Sequence, residues 1–315
     1  MSSPSVAAPA TPARDVWPGL VLAGLGAVAF SGKAILAKLM YRHGADAVQV
    51  LFFRMLLALP LFLVLAWWAG RNRPALAWRD WKIIALLGFC GYYLASFLDF
   101  LGLQYISASL ERLILYLNPT LVLLLGAWFL KRRVSGRQFA ALALSYGGVL
   151  LVFGRELGFG NGAAADGAPP AAVHAVLGSV LVFGSALSYA VYLVMSGEVV
   201  KRIGPLRLTG LATTVAAVLC IVQFFVLRPV AALWVPEPVL WLSLVNAVCC
   251  TFAPVVVVML AVERIGASLA AQTGMVGPLS TVGMGVWILG EPFNVGLALG
   301  TVLVLAGVWL LAKWR

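Results

Sequence analysis

The chain has 315 residues, 63% of them hydrophobic and only 10% charged, with 22 Lys and Arg against 11 Asp and Glu for a net charge of +11. Soluble domains are about 45–50% apolar, so this composition excludes an ordinary globular enzyme and points to a membrane protein. The basic residues are spread along the whole sequence rather than gathered in one soluble segment, which argues against nucleic acid as a partner.

A spanning helix needs about 20 mainly apolar residues, because its backbone polar groups must bond internally where there is no water. In chain order, Met1 to Pro12 is rich in Ser, Pro and Ala, and residues 1–16 read as a disordered cytoplasmic tail. Apolar runs follow at about 17–40, 47–69, 82–104, 107–130 and 136–154. Residues 155–172, rich in Gly and Ala and holding Pro169 and Pro170, read as a connector. Further runs at about 173–197, 205–228, 239–262, 266–289 and 294–314 bring the predicted spans to ten, five in each half. The first run is long and carries Lys33 and Lys38, which favours a retained helix over a cleaved signal peptide.

The two halves are copies. Residues 106–153 match 265–312 without a gap at an offset of 159, with identities that include Ala108/Ala267, Ser109/Ser268, Leu110/Leu269, Pro119/Pro278, Gly126/Gly285, Trp128/Trp287 and Gly148/Gly307. Five spans is an odd number, so the second copy must enter the bilayer upside down relative to the first, which is the plan of many secondary transporters. The expected architecture is all-α: a polytopic membrane protein of ten transmembrane helices in two inverted five-helix repeats, 17–154 and 173–315. With the N-terminus inside, 15 basic residues fall on the cytoplasmic side and four (Lys38, Arg42, Arg155, Arg228) on the outer side, so both termini are expected in the cytoplasm.

Charges within the spans carry the chemistry. Lys33, Arg54, Asp99, Glu111 and Arg112 sit in otherwise apolar helices, where each ion costs at least about 2.5–3.5 kcal/mol unless paired or hydrated. Counted from the helix ends, all five fall in the outer half of the membrane. Their counterparts in the second repeat are Tyr192, Thr213, Val258, Ala270 and Ala271, all neutral. The sequence therefore predicts an ionic outer end and a neutral inner end. Asp99 and Glu111 would face Arg112, Lys33 or Arg54, either as a gate that binds a proton or a charged group of the solute, or as a fixed clamp between helices.

The fourth and ninth spans hold Asn118-Pro119 and Gly277-Pro278 near their midpoints at equivalent positions, and a proline inside a helix removes one hydrogen bond and kinks it. Paired interruptions of this kind point to a central transport site. Tyr93, Tyr116 and Asn118 from the first half and Tyr189, Tyr192, Asn246 and Gln272 from the second are the polar and aromatic candidates to line it. Trp67, Trp68, Trp78, Trp81 and Trp234 read as interfacial belts. Cys90, Cys220, Cys249 and Cys250 lie within spans without zinc-site spacing, and His43 and His174 are isolated loop residues. No metal ligand set, cofactor motif or catalytic constellation is expected.

These features resemble a known group. Ser31-Gly32-Lys33 in the first span, Arg54 in the second, Ala-Ser-Leu followed by proline in spans four and nine, and Trp-Ile-Leu-Gly-Glu-Pro from Trp287 to Pro292 are similar to the EamA-type branch of the drug/metabolite transporter superfamily. The likeness covers nearly everything after residue 16. It implies a bacterial inner-membrane carrier, often an exporter of amino acids or related metabolites, working by alternating access without ATP. The implied partners are a small solute, the lipid bilayer and, as a second candidate, protons, in a monomer or homodimer. Two departures stand out: Leu130-Lys131-Arg132-Arg133 replaces the glutamate such repeats often carry, and Leu110-Glu111-Arg112 is more charged than usual. The competing classes are a channel, a receptor and an intramembrane enzyme. No ring of charge or filter sequence, no signalling domain and no nucleophile or metal set accompanies the spans.

Overall fold

The computed structural model describes residues 16–130, 135–158 and 171–313, and among these every regular element is helical. The expected tail up to residue 15 and residues 159–170 of the expected connector lie outside the described residues, while 155–158 and 171–172, read as connector, are helical. The spans are α1 (Trp17–Arg42), α2 (Ala47–Gly70), α3 (Trp78–Leu103), α4 (Ala108–Leu115 and Asn118–Leu130), α5 (Gly136–Gly158), α6 (Ala171–Ile203), α7 (Pro205–Leu227), α8 (Glu237–Ala247, then Val248–Phe252 and Ala253–Thr273), α9 (Val276–Leu289) and α10 (Val295–Lys313). Nine of the described helices are long and apolar enough to cross a bilayer, and α9 is a shorter apolar helix.

That short helix is a departure from the run expected at 266–289. Its first part is helical continuation of α8. Gly26 lies against Val258, Gly19 against Ile265 and Gly24 against Thr273, so the chain reverses along α1 just beyond Ile265, close to the start expected for this run at 266. The first repeat behaves differently at the equivalent place. There Ser107 starts a new helix by accepting a hydrogen bond from Leu110 N at 3.1 Å, whereas the residue 159 positions on is Gly266, with no side chain to cap a helix.

Inversion of the repeats is visible in how equivalent helices meet. Phe52 stacks on Phe224 with ring centroids 4.1 Å apart while Ala66 lies against Gly210, so α2 and α7 run antiparallel. Likewise Gly148 lies against Gly300 and Val304, and Ser145 against Gly307, which makes α5 and α10 antiparallel. The remaining packing obeys the same exchange: α1 packs on α8 and α9, and α6 on α3 and α4. Glycines at these crossings let backbones approach closely, which is how helices associate in lipid without a hydrophobic drive.

Equivalent irregularities recur too. A π-helical turn interrupts α3 at Gly88–Leu94 and α8 at Val248–Phe252, and a third ends α9 at Gly285–Leu289. Such turns rotate the side chains that follow and are frequent at functional sites. On the outside of the bundle Trp67, Trp78, Trp234 and Trp287 are exposed, as lipid-facing or interfacial residues are. We call the end that gathers Arg42, Gln104 and Leu289 around one pocket distal, and the end holding Trp17 and Lys313 proximal.

Candidate functional site

The five charged residues singled out from the sequence come together in the distal half of the bundle, at the interface of the two repeats. Lys33 is 6% exposed, Arg54 5%, Asp99 1%, Glu111 0% and Arg112 4%, so all are withdrawn from solvent. Lys33 Nζ bonds Asp99 Oδ2 at 2.6 Å, joining α1 to α3. Arg54 Nε donates to Thr251 Oγ1 at 3.0 Å, joining α2 to the π turn of α8, and Thr251 Oγ1 itself donates to Asn246 O at 2.8 Å. Asn246, fully buried, brings its Nδ2 to 3.5 Å from Lys33 O. Glu111 and Arg112 approach each other only loosely, Nε to Oε2 at 3.9 Å.

Two phenyl rings sit between the cations. Phe100 has Arg54 at 4.9 Å and Lys33 at 5.4 Å from its centroid, and Phe30 has Lys33 at 5.5 Å and Arg112 at 5.9 Å. The order Arg54, Phe100, Lys33, Phe30, Arg112 keeps like charges apart while giving each an aromatic face, an attraction worth about 2 kcal/mol when desolvated. The cluster is nevertheless incompletely satisfied. Arg54 Nη1, Arg112 Nε and Nη2, and Asn246 Oδ1 are buried without a hydrogen-bond partner among the described residues, and the carboxyls of Glu111 and Asp99 face each other with no N–H donor on Asp99 Oδ1 or on either Glu111 oxygen. Each such atom forfeits about 1–3 kcal/mol, more when charged, so a concentration of both donors and acceptors marks a place where polar groups from outside the chain can be accommodated.

The interruptions of α4 and α9 lie next to this cluster. The sequence suggested kinks at the prolines. The breaks instead fall just before them: α4 stops at Leu115 and resumes at Asn118, and helical structure stops at Thr273 and resumes at Val276. Pro119 and Pro278 thereby occupy first turns, where a missing N–H costs no helical bond. The two breaks are tied together, since Tyr116 Oη donates to Gly274 O at 2.7 Å, and Ser31 Oγ donates to Gly277 O at 2.8 Å. Asn118 Oδ1 has no hydrogen-bond partner among the described residues.

Other expected lining residues are elsewhere. Tyr189 and Tyr192 join Tyr92 in a separate phenolic group, with Tyr92 Oη 3.2 Å from Tyr192 Oη and the rings of Tyr189 and Tyr192 stacked at 5.4 Å. Tyr192 is the repeat counterpart of Lys33, so this group occupies the position in the second repeat that the ions occupy in the first. Tyr93 packs between Phe89 and Phe97 in an apolar cluster. The side chain of Gln272 lies outside the described residues. Sequence reasoning missed Thr251, Phe30 and Phe100, which are ordinary residues for a membrane helix until the fold sets them beside a cation.

The comparison with protein families decides the wider assignment: the model of the EamA-like transporter family matches twice, at residues 17–154 and 176–313. The chain belongs to the EamA-like transporter family. Among relatives of this EamA-like protein, an uncharacterized transporter YcbK of Bacillus subtilis (strain 168) is 32% identical over 293 residues, covering 88% of this chain and 87% of the relative. An uncharacterized transporter of Archaeoglobus fulgidus is 25% identical over 294 residues, covering 92% and 96%. A solved crystal structure at 15% identity shares the fold with a TM-score of 0.62 over 93% of this chain and 95% of its own. The chain is thus a multi-pass membrane protein of a transporter family with a duplicated architecture.

Proposed function

We propose that this protein is a secondary or facilitative carrier of small solutes bearing a carboxylate, amino acids or related metabolites, and that it works by alternating access at the interface of the inverted repeats. The observation that carries this reading is charge imbalance. Three buried cations face two buried carboxylates, Lys33 is committed to Asp99, and Arg54 has a threonine and an aromatic face but, among the described residues, no carboxylate within ion-pair distance and no hydrogen-bond partner for Nη1. A planar guanidinium is suited to a carboxylate, and a solute that brought one would complete the set. The facing carboxyls of Glu111 and Asp99, and Asn246 Oδ1, which has no partner among the described residues, would suit the ammonium of a zwitterion.

The unwound backbone at Tyr116–Leu117 and Gly274–Met275 supports the same reading, because paired interruptions let two halves rock about a central site. The Lys33–Asp99 pair fits a clamp better than a site, being short, buried and between two helices. We take the protein to lie in the inner membrane with both termini cytoplasmic, as the basic residues suggest, which makes the ionic end external, and export the direction of the family resemblance.

Purified protein in liposomes tests this. Counterflow with radiolabelled amino acids, organic acids and a neutral sugar, with and without a pH gradient, should give saturable uptake for carboxylate-bearing solutes. Arg54→Gln should lower that flux by at least about 10-fold, the loss of one charge-assisted bond at about 1.5–3 kcal/mol, while the purified variant keeps its thermal stability. Equal flux of the neutral sugar, or undiminished flux in Arg54→Gln, refutes the assignment.

A further inference from the structure

Outside the ion cluster, a second set of contacts joins the repeats at the distal end. The loop after α9 turns at Gly290, whose φ of 71° is in the left-handed region that suits glycine, and Glu291 N donates to Gly285 O at 3.0 Å. This aims the Glu291 carboxylate across the repeat boundary at the start of α4. There Oε1 accepts from Ala108 N at 2.6 Å, and Oε2 accepts from Ser109 N at 3.2 Å and Ser109 Oγ at 2.6 Å. Together with Ser107, which takes Leu110 N, it satisfies the free N–H groups of the first turn, at the end where the helix dipole favours negative charge.

Arg42 makes the converse contact, its guanidinium donating to Leu289 O at the C-terminal end of α9. A Cβ on Gly285 would come within 2.7 Å of Glu291 Oε2, so that glycine leaves the room the carboxylate occupies. Arg42 and Glu291 line a distal pocket of about 420 Å³ with Lys38, Tyr41, Gln104 and Ser107. The segment so held, Ala108–Leu115, is short, carries Glu111 and Arg112, and ends at the break before Asn118.

We propose that the first segment of α4 is a hinged distal gate and that Glu291 is its latch. Release of the carboxylate frees the segment to turn about the Tyr116–Leu117 break, and Glu111 and Arg112 move with it. The latch joins opposite repeats, α9 to α4, so it opens only as the repeats move relative to each other. At the equivalent position of the first repeat the sequence has Arg132, so the carboxylate is not repeated. This inference rests on alternating access and not on the charge of the solute.

Spin labels at Tyr105 and Phe293, exposed residues flanking the latch on opposite repeats, test it in the full-length protein with the four native cysteines replaced. Double electron–electron resonance in nanodiscs without solute should give one dominant distance in the wild-type background. Glu291→Ala should shift a large part of the distribution to longer distances, and Arg42→Gln a smaller part. An unchanged distribution in Glu291→Ala overturns the latch. If that variant does not reach the membrane, Ser109→Ala and Gly285→Ala disturb the carboxylate from either side, and unchanged distances in both overturn it equally. A protein that opens as described yet moves no carboxylate solute refutes the function proposed above and leaves the latch standing.

Discussion

Asp99 shows how much a single buried ion depends on its neighbour. Its Oδ2 holds Lys33 at 2.6 Å while Oδ1 has no N–H donor among the described residues, and the pair links α1 to α3 where both groups are buried. Removing one member of such a pair strands the other, at a cost of about 3–5 kcal/mol, whereas replacing both by apolar side chains is often neutral. Asp99→Asn should therefore lower the yield of folded protein and its thermal unfolding temperature, and Lys33→Met combined with Asp99→Leu should restore both. If the single variant is as stable as wild type but its transport no longer responds to pH, the pair is a coupling site and not a clamp. The charged members of the cluster were legible from composition alone, because an ion in an apolar run is conspicuous. Phe30, Phe100 and Thr251 were not, because their roles come from which ring or hydroxyl the fold sets beside a cation. Glu291 was visible only as part of a motif; its partner lies 182 positions earlier, and nothing local in the sequence connects them.

At the scale of elements, the matching of α5 with α10 depends on glycine. Gly148 and Gly300 lie against each other's backbone, and Gly307 lies against Ala141 and Ser145, so a larger side chain at any of them would push the helices apart. Gly300→Leu should lower the unfolding temperature in detergent by several degrees, consistent with the roughly 1–3 kcal/mol typical of overpacking, while the conservative Gly147→Ala, which faces open space, should have little effect. Helix positions followed from the length of apolar runs, and the spacing of 159 correctly paired the interruptions before Pro119 and Pro278. The π turns in α3 and α8 left no trace in the sequence, since one extra residue in a helical turn changes neither hydropathy nor length. The reversal beyond Ile265 falls where the sequence places the start of a span at 266; what the apolar run does not show is that regular helix resumes only at Val276 after the break at Gly274–Met275.

For the whole molecule, duplication and inversion were readable as soon as the repeat and the odd number of spans were counted, because threading an odd number of helices leaves no other orientation. What sequence could not supply was the exchange of partners, α1 with α8 and α6 with α3. Which side of the membrane each end faces is set by the basic loops, and reporter fusions test it. Alkaline phosphatase joined after Arg228 should be active and joined after Arg73 inactive, with green fluorescent protein at the C-terminus bright; the reverse pattern would place the ion cluster toward the cell interior.

The mirror positions of Lys33 and Tyr192 differ in kind, one an ammonium and the other a phenol, and this constrains any passive carrier built on such a frame. Two mouths with different chemistry bind the same solute with different strength. Thermodynamics still forbids accumulation without an energy source, so the two directions must compensate: the face with the poorer half-saturation constant must show the proportionately faster maximal rate. Unequal kinetics with that exact reciprocity would mark a facilitator, and any excess over it would measure the work contributed by a coupled ion.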